Sequence, residues 1–204
     1  MSTLPDYRFI RFRFYAPVAV EAARVDGASI TGRWSGDEKR LYPEKGEMVA
    51  RRFAICDDTP EQVRQFTARF GPLAEPPGRG KFSFEIDAWR ASRKDFQEFW
   101  RALAKGGRPS RYWPLPGDAV EFRGEWLHLR CAFLWTFMTY ELLSQPAKVR
   151  ICERRDCKHP YFVAQHGKER YCSTDCSNWS QAQLKKRWHE QERQKRIASQ
   201  SHSR

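Results

Sequence analysis

The chain has 204 residues, 40% of them hydrophobic and 30% charged, with a formal net charge of +12 and a pI near 9.7. This composition excludes an intrinsically disordered chain and leaves room for one ordinary core plus a small second unit. No apolar run approaches the roughly 20 residues of a membrane span, and Met1 to Arg13 lacks the apolar segment of a signal peptide, so the expectation is a cytoplasmic protein with no membrane partner.

Taken in chain order, the first third reads as β-rich. From Tyr7 to Phe14 aromatic or apolar residues largely alternate with arginine, a near period-two strand pattern. Turn formers follow at Asp26-Gly27, Gly32 and Ser35-Gly36-Asp37, and Met48 to Cys56 reads as a further strand. Helices then take over. Thr59-Pro60-Glu61 supplies an N-cap, a first-turn proline and an early acid; Val63, Phe66 and Phe70 recur at helical spacing, and Gly71-Pro72 stops the element. Residues 73–83 read as a loop. A second helix is expected from about Asp87 to Ala104, with Trp89, Phe96, Trp100 and Leu103 inward. A third, more apolar one is expected from near Trp126 to Leu143, central in the core.

Pro146 marks an exit, and the charge shifts there. Residues 148–204 hold 14 Lys or Arg against 6 Asp or Glu, so most of the excess positive charge sits on little more than a quarter of the chain. The expected organisation is an α+β protein. An N-terminal domain of short sheet and about three helices, residues 1–145, precedes a small module with a basic helix, residues 148–204. No internal repeat is present, and Ser199 to Arg204 reads as a frayed tail.

Four of the six cysteines fall within 25 residues, as Cys152-x4-Cys157-x14-Cys172-x3-Cys176. Four thiolates complete a tetrahedral set for zinc and leave no open position for water or substrate, so the site is expected to be structural. A module of about 50 residues cannot bury much core, and metal binding substitutes for that burial. Cys152 and Cys157 would sit on a slightly wide zinc-knuckle turn. Tyr161-Phe162-Val163 and Arg170-Tyr171 flank Gly167 in the manner of a short hairpin. Ser173 would N-cap a helix carrying Cys176 in its first turn, where the amides favour a thiolate. Turn, hairpin and helix make a treble-clef-like arrangement. Cys56 and Cys131 lie singly in apolar stretches and read as small buried hydrophobes. His159, His166 and His189 read as exposed, since four cysteines already saturate the metal.

Cys152-Glu-Arg-Arg-Asp-Cys157, Tyr161-Phe162, Arg170-Tyr171-Cys172-Ser173 and Cys176-Ser177-Asn178 together resemble the CGNR-type zinc fingers of bacterial proteins. They are also similar to looser bacterial zinc modules in which Tyr-Cys-Ser leads into a cysteine and a basic helix. The resemblance covers about residues 149–190; a fainter one touches Phe66 to Leu73. It implies a helical N-terminal domain, DNA binding and transcriptional regulation. The signature Cys-Gly-Asn-Arg reads Cys176-Ser177-Asn178-Trp179 here. The ligand roles therefore carry over, and a contact by the signature arginine does not.

From Ser177 to about Ala198 the chain reads as one polar helix. Ala182, Leu184 and Trp188, with Trp179 and Ile197, form its only apolar surface, expected to pack on the hairpin or the N-terminal domain. Lys185, Lys186, Arg187, Arg193, Lys195 and Arg196 supply its positive charge, and Arg154, Arg155, Lys158, Lys168 and Arg170 surround the knuckle. Such a helix can track phosphates or enter a major groove; its charges can equally form intrahelical pairs on a solvated face. Nucleic acid is the favoured partner, DNA ahead of RNA. A protein-interaction adaptor, an RNA-binding or defence-associated factor, and a homodimer through residues 1–145 stay open. No phosphate-loop, nucleophile-elbow or His-Glu-x-x-His motif is present, and no enzyme is expected. Gly78-Arg79-Gly80-Lys81 lacks the strand and helix context of a phosphate cradle, while exposed aromatics at Arg111-Tyr112-Trp113 are an alternative base-stacking site.

Overall fold

The computed structural model describes residues 10–13, 20–34, 48–73, 80–107, 119–123, 126–131 and 133–201. Ser35-Gly36-Asp37, Pro76-Pro77-Gly78 and Arg111-Tyr112-Trp113 lie outside them. The described elements are β1 (Ile10–Arg13), β2 (Arg24–Asp26), β3 (Ser29–Arg33), α1 (Val49–Ile55), α2 (Pro60–Phe70), β4 (Lys81–Glu85) and α3 (Ile86–Ala104). They continue with β5 (Ala119–Arg123), β6 (Trp126–Arg130), α4 (Leu134–Leu143), a 3-10 turn (Pro146–Lys148), β7 (Val149–Ile151), β8 (Tyr161–Val163) and α5 (Thr174–Ser201). The chain is α+β, as its sequence pattern indicates.

Three small sheets result. β2, β3 and β4 form an antiparallel sheet, with Gly32 opposite Phe82. A Cβ on Gly32 would run into the Phe82 ring, so the missing side chain lets Phe82 lie against Trp34, with ring centroids 5.3 Å apart. β5 and β6 form an antiparallel pair, with β1 parallel to β6 on its other side. β7 and β8 pair antiparallel, Val149 opposite Val163.

The helices enclose an aromatic core. Thr59 accepts from the Gln62 amide, Pro60 opens α2, and Gly71 ends it at φ 93°, a conformation that favours glycine. Phe53 on α1 lies 5.1 to 6.2 Å, ring to ring, from Phe66, Trp89, Phe96 and Trp135 and so joins α1, α2, α3 and α4. The indole of Trp100 donates to the Arg150 carbonyl at 3.0 Å and its ring meets Tyr161 at 5.7 Å. These contacts fasten β7 and β8 to α3. Val149 and Tyr161 belong to this core, whereas Phe162 and Ala164 pack with Cys152 and Cys176 in a second, smaller one.

Several elements differ from the sequence expectation. Met48 to Cys56 holds a helix, because Val49, Ala50, Phe53 and Ala54 bury one helical face. The expected helix from Trp126 begins only at Leu134; Trp126–Arg130 is strand β6, paired on both sides. The loop assigned to residues 73–83 gives way to β4 at Lys81. β8 pairs with β7 rather than with Arg170-Tyr171, since Val149 and Ile151 offer apolar partners that the charged 165–170 stretch lacks. α5 runs from Thr174 to Ser201 and takes in the start of the expected frayed tail.

Candidate metal centre

The β7–β8 hairpin and the start of α5 converge on four sulfurs. Cys152 follows β7, and its amide donates to Pro160 O at 2.7 Å; the Cys157 amide donates to Arg154 O at 3.1 Å, closing the knuckle turn. The Glu153 amide donates to Arg170 O at 3.0 Å, which brings the Cys172 segment alongside. Ser173 accepts from the Cys176 amide at 3.3 Å as the helix cap, so Cys176 occupies the first turn of α5. The Tyr171 hydroxyl meets the Ser180 hydroxyl at 2.7 Å and holds the approach segment against the same helix.

Cys152, Cys157, Cys172 and Cys176 place their sulfurs within 4.8 Å of one another, and this group could hold a metal ion. Cys157 and Cys172 are 3.5 Å apart, Cys172 and Cys176 3.6 Å, and Cys176 and Cys157 3.8 Å. A disulfide needs about 2.05 Å. Four sulfurs each about 2.3 Å from a central zinc would be about 3.8 Å apart. The donor set and the three measured edges therefore fit a tetrahedral thiolate ion site. Cys152 and Cys176 are buried and the other two half-buried.

The thiols differ in acidity. Burial raises Cys176, but hydrogen bonds from Ser173 and the neighbouring thiols outweigh it and bring the group down to about 7. Cys172 is pushed up by burial and by the other sulfurs, and Cys157 is raised by burial first. Cys176 is thus more acidic than Cys157 and Cys172, and a divalent cation would favour the thiolate form of those two. Outside the cluster, Cys131 is buried as expected, whereas Cys56 is half-buried, with its thiol pushed up to about 11 mainly by burial. His159, His166 and His189 are exposed and outside the cluster.

The basic residues fall into distinct settings. Arg154 pairs with Asp156 and lies over the Trp179 ring; Arg170 pairs with Glu153. Arg193 pairs with Glu190 and Lys195 with Glu192, and Arg196 also has a partner. Arg155, Lys158, Lys168, Lys185, Lys186 and Arg187 are exposed, with no ion pair among the described residues. Leu184 is 60% and Trp188 59% exposed, and Ala182 and Trp179 are exposed as well. The expected packing of the α5 apolar surface is therefore not seen for Leu184 and Trp188 among the described residues, whereas Trp179 carries Arg154 of the knuckle. A helix of 28 residues is about 42 Å long, and most of its described residues beyond Ser180 are exposed.

Sequence reasoning did not find Asp156, Glu153 and Trp179 as supports of the centre. The two acids lie inside the knuckle, but only the fold shows which arginine each one meets. It also missed a cleft of about 650 Å³ beside Cys172, lined by Arg51 of α1 and by Lys168, Arg170, Ser173 and Thr174. No family model, curated protein or solved structure matches this chain.

Proposed function

We propose that the protein is a zinc-dependent nucleic-acid-binding protein, a bacterial DNA-binding transcriptional regulator, in which the four-cysteine centre fixes the base of α5 and α5 contacts the nucleic acid. The single observation that carries this reading is the projecting half of α5. Its Lys185-Lys186-Arg187 triplet is exposed and free of ion pairs among the described residues. Cys152, Cys157, Cys172 and Cys176 would hold the zinc, which supplies folding energy and no reaction, since four thiolates saturate it. A helix of this length and charge suits a groove lined by phosphates on both sides, with Gln181, Gln183 and Gln191 available to base edges. Arg155, Lys158 and Lys168 extend the positive surface towards the knuckle. Residues 1–145 would then serve as a sensor or dimerisation domain.

Fluorescence anisotropy of the zinc-loaded chain with duplex DNA, single-stranded DNA and RNA tests the reading. Duplex binding that is lost when a chelator removes the metal is the expected result. A second reading, a protein-interaction adaptor, is favoured by one specific observation, the exposed Leu184 and Trp188. Absence of binding to all three nucleic acids at low salt, with a stoichiometric protein complex formed through α5, would select it.

A further inference from the structure

Zinc held by four thiolates leaves roughly two units of negative charge at the centre, and such sites depend on the groups around their ligands. One cation is built into that surround. Arg154 donates through Nε and a terminal nitrogen to the two carboxylate oxygens of Asp156, at 3.0 and 2.9 Å, a bidentate pair that fixes the plane of the guanidinium. Its guanidinium carbon stands 4.8 Å from the centroid of the Trp179 ring, within cation–π range. Its own backbone carbonyl accepts from the Cys157 amide at 3.1 Å.

These contacts come from two separate stretches of chain. Asp156 and Cys157 belong to the knuckle turn; Trp179 belongs to the first turns of α5. Arg154 joins the two, with an ion pair to Asp156 on one and a cation–π contact to Trp179 on the other. We propose that Arg154 is a positioning residue that clamps the knuckle to α5 across the metal, with Trp179 as its platform on the helix. This rests on the zinc reading given above. It also gives Trp179 a role of its own, since its ring receives the arginine of the knuckle.

The assignment separates Arg154 from its neighbour. Arg155 is exposed and unpaired among the described residues, free to meet a phosphate, whereas Arg154 is already committed to an acid and a ring. Losing Arg154 therefore affects the metal before it affects any ligand of the helix.

The test is zinc affinity of the full-length chain by chelator competition, with the visible spectrum of the cobalt-substituted protein as a second readout. Arg154→Ala is expected to weaken zinc by about 10–100-fold and to alter the cobalt spectrum. Arg154→Lys should recover only part of the loss, since an ammonium keeps the charge but cannot fork onto Asp156 while lying flat on the ring. In a double-mutant cycle with Trp179→Ala, the two losses should depart from additivity by more than about twofold. Zinc affinity of Arg154→Ala within about twofold of wild type, or an additive cycle, would overturn the clamp. If Arg154→Ala fails to fold, wild-type affinity in Arg154→Lys overturns it instead. A wild-type chain that takes up no zinc overturns the metal reading itself, which keeps the two failures distinct.

Discussion

Cys172 and Glu141 show how single side chains set the chain's response to metal and to pH. Cys172 lies 3.5 and 3.6 Å from two other sulfurs, so Cys172→Ser removes one corner of the set. Zinc binding should fall by several orders of magnitude, measurable by chelator competition. Glu141 on α4 accepts from the Ala50 amide at 2.8 Å at the start of α1, and burial pushes its carboxyl up to about 7 against the pull of the Ala50 and Val49 amides. A carboxyl raised in the folded state binds its proton more tightly there than in the unfolded chain. Its contribution to stability is thus fully present below about pH 4.5 and is lost as pH rises towards about 7. Glu141→Gln should remove that pH dependence and stabilise the protein near pH 8, on the order of 1–3 kcal/mol, read by urea denaturation at pH 5 and pH 8.

At the scale of elements, the legible features were those whose determinants are close in sequence. The four clustered cysteines, the Ser173 cap and the start of α5 all lie within a short run, and α2 carries its own cap, proline and stop signal. The errors came from partners far away. Seven residues from Val49 to Ile55 are too few to display a helical period against a β-rich neighbourhood, and their burial depends on Trp89, Phe96 and Trp135. Trp126–Arg130 joins two strands, one of them more than a hundred residues earlier. Gly167 suggested a hairpin turn, but β8 finds its partner on the other side of the knuckle. The apolar residues of α5 implied a packing surface, and only the fold reveals that nothing among the described residues covers Leu184 and Trp188. Because Phe53 joins four helices, Phe53→Ala should cost about 3–5 kcal/mol in chemical denaturation while leaving zinc affinity unchanged.

In the whole molecule, the β7–β8 hairpin belongs to two cores at once. Val149 and Tyr161 face the large aromatic core, and Phe162 and Ala164 face the cysteines. Chelation should therefore loosen the chain beyond Val163 without unfolding the rest. Limited proteolysis of the metal-free protein is expected to cut between residues 165 and 173 and leave an N-terminal fragment that still unfolds cooperatively; a fragment that melts with the metal would show a single cooperative unit. Function, on this account, follows from what the metal aims rather than from the metal. The most direct test is the salt dependence of duplex-DNA binding for the zinc-loaded wild type and for the Lys185, Lys186 and Arg187 triple alanine variant. The account predicts that the variant binds more weakly and that its slope of log affinity on log salt is shallower by about 2–3. Equal affinity and equal slope in the two proteins would contradict it.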